Sequence, residues 1–128
     1  MTQAEAAALT IALEAMAGAA LAPWLRRAAG LESDRPSRAM AALSCGLASA
    51  LTHPVAWSAN LALAERMPFA ERATVIEIAV VAVEAFLCGL ALRLRPTAAL
   101  ALSVACNSAS FGSGLLLWWL RTSLSDGG

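Results

Sequence analysis

The chain reads as an all-α protein, an integral membrane bundle of four transmembrane helices, and three observations lead there. Its 128 residues are 59% hydrophobic, with a mean hydropathy of +0.67, against the roughly 45–50% apolar usage of soluble domains. Four apolar stretches are each long enough to cross about 30 Å of hydrocarbon, which takes roughly 20 helical residues. No formal charge falls between Arg38 and Glu65, or between Arg95 and Arg121. Strands are excluded because alternation is missing, Ala and Leu dominate, and an open sheet would leave unpaired backbone in lipid.

The first helix is expected over residues 4–25. Ala20-Leu21-Ala22 resembles a signal-peptide cleavage site, but Glu5 precedes it and no Arg or Lys does. A secretory leader begins with positive charge, so this run is read as a permanent helix. The second helix is expected over 39–64, the third over 73–92 and the fourth over 96–120, all within one transmembrane domain of residues 1–128. The connections are short: Arg26 to Arg38, Glu65 to Arg72, and the turn Arg93-Leu94-Arg95-Pro96. The tail from Ser123 to Gly128 is polar and is expected to fray.

Arginine sets the expected orientation. Connections one and three carry Arg26, Arg27, Arg35, Arg38, Arg93 and Arg95, whereas Arg66, Arg72 and Arg121 lie on the other side. The positive-inside rule then turns connections one and three to the cytoplasm and both termini outward. Trp24 on the inner side, and Trp118 and Trp119 on the outer, stand where an aromatic belt would be. Small residues at steps of three and four, Ala15, Gly18, Ala19 and Ala22 in helix one and Ala101, Ala105, Ala109, Ser110 and Gly114 in helix four, allow close helix packing. The same surfaces suit a homo-oligomer or contact with other membrane subunits.

Each helix carries a polar stripe. Thr10, Glu14 and Gly18 follow at steps of four in helix one. Helix two has Ser49, His53 and Asn60; helix three has Glu77, Glu84 and Cys88; helix four has Ser103, Asn107, Ser110 and Gly114. Steps of three, four and seven keep side chains on one face, so four stripes imply a shared polar seam. Glu14, His53, Glu84 and Asn107 each fall within about two residues, roughly 3 Å, of the middle of their span. They form the expected midplane site for a proton or cation. Glu77, about 10 Å outward from Glu84, is expected with Asn60 and Ser113 in a second layer.

A charged carboxylate at the helix centre costs roughly 2.5–3.5 kcal/mol on insertion scales. No Lys or Arg lies inside the expected spans to offset it. The open options are a retained proton, a bound cation, hydrogen bonds to His53 and Asn107, or a basic group from a partner. Glu77 also fits an interfacial position, and Asn107 with its serines also fits interhelical glue. Pro54 removes a backbone donor and frees the Ala50 carbonyl, which suggests a broken helix lining a cavity.

Several functions are set aside. A net charge of zero gives no reason to expect nucleic acid. Cys45, Cys88 and Cys106 lie inside apolar runs without CxxC spacing, so buried free thiols are expected rather than disulfides or zinc. HExxH and paired-His motifs are missing, so no enzyme is expected. No cofactor or metal is named, and haem ligation by His53 alone has no supporting residue.

On Glu77 and Glu84, then Ser103, Asn107, Ser110 and Gly114, with Thr52-His53-Pro54 and Glu14 as weaker matches, the chain resembles small uncharacterised four-helix membrane proteins of bacteria and archaea. That resemblance covers most of the chain and implies a bacterial cytoplasmic (inner) membrane, without implying an activity. Leu13-Glu14-Ala15-Met16-Ala17-Gly18 is similar to the helix-one neighbourhood of small multidrug-resistance transporters. The chain departs from them in lacking Tyr, in its longer first connection and in the two glutamates of helix three. The leading expectation is proton or cation binding in transport or energy coupling, by this chain alone or as a subunit. The alternative is a structural or assembly subunit of a larger membrane complex, whose glutamates contact a partner or cofactor.

Overall fold

The computed structural model describes residues 2–28 and 36–125, with the side chains of Arg26, Ala28, Trp118, Arg121, Leu124 and Ser125 also outside the description. Arg35, Gly128 and the anchoring role expected of Trp118 therefore lie outside the described residues. Within them the chain is all-helical: α1 (Gln3–Ala28), α2 (Arg38–Ala62), α3 (Phe69–Leu92) and α4 (Pro96–Ser125). Each contains a window long and apolar enough to cross a membrane.

Local chemistry explains the ends. Thr2 and Glu5 form a reciprocal cap on α1, Glu5 Oε2 accepting from the Thr2 amide at 2.8 Å and Thr2 Oγ1 accepting from the Glu5 amide at 3.2 Å. The Ser37 hydroxyl caps α2 by accepting from the Met40 amide at 3.0 Å. Pro96 opens α4, where a missing N–H costs nothing. Arg93 closes α3 in the left-handed region at φ 52°, and Leu94 N–H then donates to Gly89 O at 3.0 Å.

Three helices outrun their expected lengths, α1 by running from Gln3 to Ala28. α3 begins at Phe69 rather than residue 73, because Pro68 ends the preceding turn and a charged first turn with Glu71 suits a helix N-terminus. α4 continues to Ser125, so the fraying expected from Ser123 is not seen through that residue. Charge and polarity mark the end of an apolar span, and a helix need not stop there. α2 also differs from expectation: it runs unbroken through Pro54.

The helices form a four-membered ring in which α1 packs on α2 and α4, and α3 packs on α2 and α4. The two ends of this ring differ. Toward the α1–α2 and α3–α4 connections the interior is filled by Ala22 and Leu25, by Ala41, Cys45 and Ala48, by Cys88 and Leu92, and by Ala98, Ala99, Leu102 and Cys106. Small side chains allow the approach: a Cβ on Gly18 would lie 2.7 Å from Cys45 Sγ and 2.9 Å from the Ala41 carbonyl. Beyond Thr52 in α2, before Glu84 in α3 and beyond Asn107 in α4, no described side chain is buried. The bundle is closed at one end and splayed at the other.

Only part of the small-residue stripe read in α4 lies inward, Ser110 reaching Glu14 of α1. Ala101 and Ala109 are exposed, and a Cβ on Gly114 would meet nothing within 4 Å. α4 turns Ala98, Ala99, Leu102, Ser103, Cys106 and Asn107 inward instead, because Ser103 and Asn107 need partners that only the interior offers.

Candidate functional site

Polar side chains meet where the closed half gives way to the open half. Glu84 of α3 is 2% exposed, and each of its oxygens has a donor from a different helix. Thr52 Oγ1 of α2 lies 2.6 Å from Oε1, and Asn107 Nδ2 of α4 donates to Oε2 at 2.6 Å. Both are short hydrogen bonds. The second Asn107 hydrogen reaches the Ser103 carbonyl at 3.0 Å, which fixes the amide orientation. Ser103 Oγ in turn donates to the Val81 carbonyl of α3 at 3.0 Å.

Glu14 of α1 is 1% exposed. Its Oε1 accepts from Ser110 Oγ at 2.9 Å, while Oε2 is buried and takes no hydroxyl or amide donor. The Glu14 and Glu84 carboxyls lie within hydrogen-bonding reach of each other, and Glu77 is within electrostatic range of both. The cationic side chain nearest to Glu77 along α3 is committed elsewhere. Arg72 donates from Nε to Asn60 Oδ1 at 2.7 Å, reaches the Met67 carbonyl at 3.4 Å, and sits 5.7 Å from the centre of the Phe69 ring.

The carboxyls stand at the inner end of a cavity of about 760 Å³ in the splayed half. Thr10, Ser49, His53, Trp57, Glu77 and Phe111 are among its lining residues. His53 shares the cavity without joining the carboxylate network: its ring stacks on Trp57 at 6.3 Å between centroids, and its Nε2 is buried without a partner. Thr52, one residue earlier, makes the contact to Glu84. One residue is about 100° of helix rotation, so the depth of this pair was readable in the sequence but its direction was not. Ser110 and Ser103 belong to the polar stripe of α4 already noted in the sequence, whereas Thr52 had stood out only beside His53 and Pro54.

The second layer does not form as a network. Asn60 lines the cavity with its oxygen held by Arg72, and Ser113 Oγ turns to the Ala109 carbonyl of its own helix at 2.7 Å. Glu77 remains in the cavity wall. One turn into the closed half, the three free cysteines gather: Cys106 Sγ is 3.8 Å from Cys45 Sγ and 3.7 Å from the Glu14 carbonyl, with Cys88 beside Cys45. Among the described residues no group of three or more His, Cys, Asp or Glu is arranged to hold a metal ion.

Chemically, the arrangement offers two adjoining carboxyls, one held by donors on both oxygens and the other by a donor on one, facing a largely apolar space. The chain matches no family model, and neither a curated protein nor a solved structure shows significant similarity to it.

Proposed function

We propose that the chain spans a bilayer four times and binds a proton or cation at Glu14 and Glu84 in a transport or energy-coupling role. The observation that carries this reading is the pair of carboxyls, 1% and 2% exposed, at the closed end of a 760 Å³ cavity with no Lys or Arg among its described lining residues. Positive charge is what such a site lacks, and a carboxylate in lipid surroundings costs roughly 2.5–3.5 kcal/mol until something compensates it. The arginine bias of connections one and three orients both termini, and the open cavity, to the outer face of a bacterial cytoplasmic membrane.

Glu84→Gln is the discriminating variant, because Gln keeps the shape and one acceptor while removing the charge. The expected result is a protein that inserts and melts at an equal or higher temperature in detergent but no longer exchanges protons or binds cations. A Glu84→Gln protein with full ion-dependent behaviour would overturn the assignment.

A second reading, an assembly subunit, is favoured by one feature: the small-residue face of α4 at Ala101, Ala109 and Gly112 is exposed in the isolated chain. A stoichiometric partner retained in mild detergent, and lost on Ala109→Leu, supports that reading over an autonomous bundle.

A further inference from the structure

Glu77 is the carboxyl that the polar layer leaves out. Thr52 and Asn107 contact Glu84, Ser110 donates to Glu14, and Arg72 is taken up by Asn60. Glu77 stands about 12 Å along α3 from Phe69, counted at 1.5 Å per residue, inside the apolar span of that helix. Ionisable groups at such a depth are paired as a rule.

A groove of about 470 Å³ runs past it on the outside of the α3–α4 pair, and Glu77 lines both this groove and the main cavity. Ala70, Ala73 and Thr74 contribute small side chains from α3, while Val104 and Ser108 come from α4. Ala70, Thr74, Val104 and Ser108 are all exposed, so the groove opens to the surroundings of the bundle rather than to its interior. Small residues three and four apart let a further helix come close. At the inner end the two helices are tied together by Ser103 Oγ donating to the Val81 carbonyl at 3.0 Å.

The charge of Glu77 selects among occupants. A lipid tail fills an apolar groove but offers a carboxylate nothing. A second copy of this chain brings no cation to that depth, because the sequence has no Lys and its Arg residues stand at or beyond the ends of the four spans, Arg72 in the first turn of α3 included. We infer that the α3–α4 groove docks a transmembrane helix of a different membrane protein, which pairs an intramembrane Lys or Arg with Glu77. This rests on the subunit reading above and gives it a surface and a partner chemistry. The groove is distinct from the Ala101, Ala109 and Gly112 face, none of which lines it.

The test places the full chain in phosphatidylcholine liposomes with a synthetic Leu/Ala transmembrane peptide that carries one Lys about 12 Å from the end of its span. The control peptide has Leu at that position. Energy transfer from the chain's tryptophans to a dansyl group on the peptide reports association. The Lys peptide is expected to bind about fivefold more tightly than the Leu peptide. Glu77→Gln removes the preference, Glu77→Lys transfers it to a peptide with Glu in place of Lys, and Ser108→Trp, which obstructs the groove without lining the main cavity, weakens binding of the Lys peptide. Equal affinity for the Lys and Leu peptides, or a preference that survives Glu77→Gln, overturns the inference. A preference lost on Glu14→Gln but kept on Glu77→Gln places the cation in the main cavity and likewise overturns it. Tryptophan-to-dansyl transfer between copies of the chain itself that depends on Glu77 makes the occupant a second copy and overturns it too. A natural partner that copurifies and is lost on Ala109→Leu but not on Glu77→Gln leaves the subunit reading standing while this inference falls.

Discussion

Gly18 shows how much a single hydrogen atom in place of a methyl group decides here. A Cβ at this position would press on a backbone oxygen, Ala41 O at 2.9 Å, as well as on the Cys45 thiol. The thiol can swing, but the carbonyl belongs to a helix and cannot. Gly18→Ala is therefore expected to cost about 1–3 kcal/mol through overpacking, seen as a lowered melting temperature in detergent. Gly112→Ala, with open space around its position, should be neutral or slightly stabilising through helix propensity. If both variants melt alike, the close α1–α2 approach is wrong. The residue scale also explains why Glu84 rather than Glu77 is the held carboxyl. Glu84 meets donors from α2 and α4, whereas Glu77, seven residues earlier, stands in the wall of the cavity.

Among the elements, α2 carries the main departure from expectation. Proline in a helix interior loses one backbone bond and crowds the preceding turn, at a cost of about 3 kcal/mol, which is why His53-Pro54 suggested a break. The helix instead continues to Ala62. Hydroxyls line this stretch: Ser58 Oγ donates to the Pro54 carbonyl at 2.8 Å, and Thr52 Oγ1 lies 3.1 Å from the Ala48 carbonyl. Restoring the missing donor with Pro54→Ala should therefore stabilise the protein by about 1–3 kcal/mol without changing its helical content, read by circular dichroism on heating. A loss of stability would show that packing against the proline ring outweighs the missing bond. α3 behaves differently, since its first turn carries Glu71 and Arg72 beyond the apolar run. Arg72 is anchored there by Asn60 of α2, so the helix start is held by a side-chain contact across the bundle as well as by Pro68.

For the whole molecule, the difference between the two ends is the controlling feature. Ala, Gly and Cys let the helices close around Leu25 and Leu102, both fully buried, while Trp57, Ile76, Phe111 and Leu115 in the other half stand around a cavity. A site with one closed side is reached in this conformation through the splayed half and not through the closed end. Single cysteines then make a direct test, because the three native thiols are buried and form a low background. Cysteine at Ile76 is expected to react with a membrane-impermeant maleimide added to the outer face. Cysteine at Ala99, 2% exposed, should remain unreactive from both faces. Labelling of position 76 only from the cytoplasmic face would invert the proposed topology, and labelling of position 99 would show that the closed end opens.

How much of this was readable in the sequence follows the range of the forces involved. The number and type of elements were local matters: charge-free runs of about 20 residues and the lack of strand alternation predicted four helices, and four are described. The polar stripes were readable for the same reason, since helical periodicity places Glu14, Glu84 and Asn107 on single faces. Which stripe residues actually meet was beyond a local reading. Helix azimuth and tilt depend on summed packing over the whole ring, so Thr52 faces Glu84 while His53 turns to Trp57, and Asn60 is claimed by Arg72. Composition by itself determined a four-helix chain with acidic groups at mid-length. The tertiary structure decided that these groups close the bottom of a one-sided cavity, because small and large side chains from all four helices had to be packed against one another before either end could close.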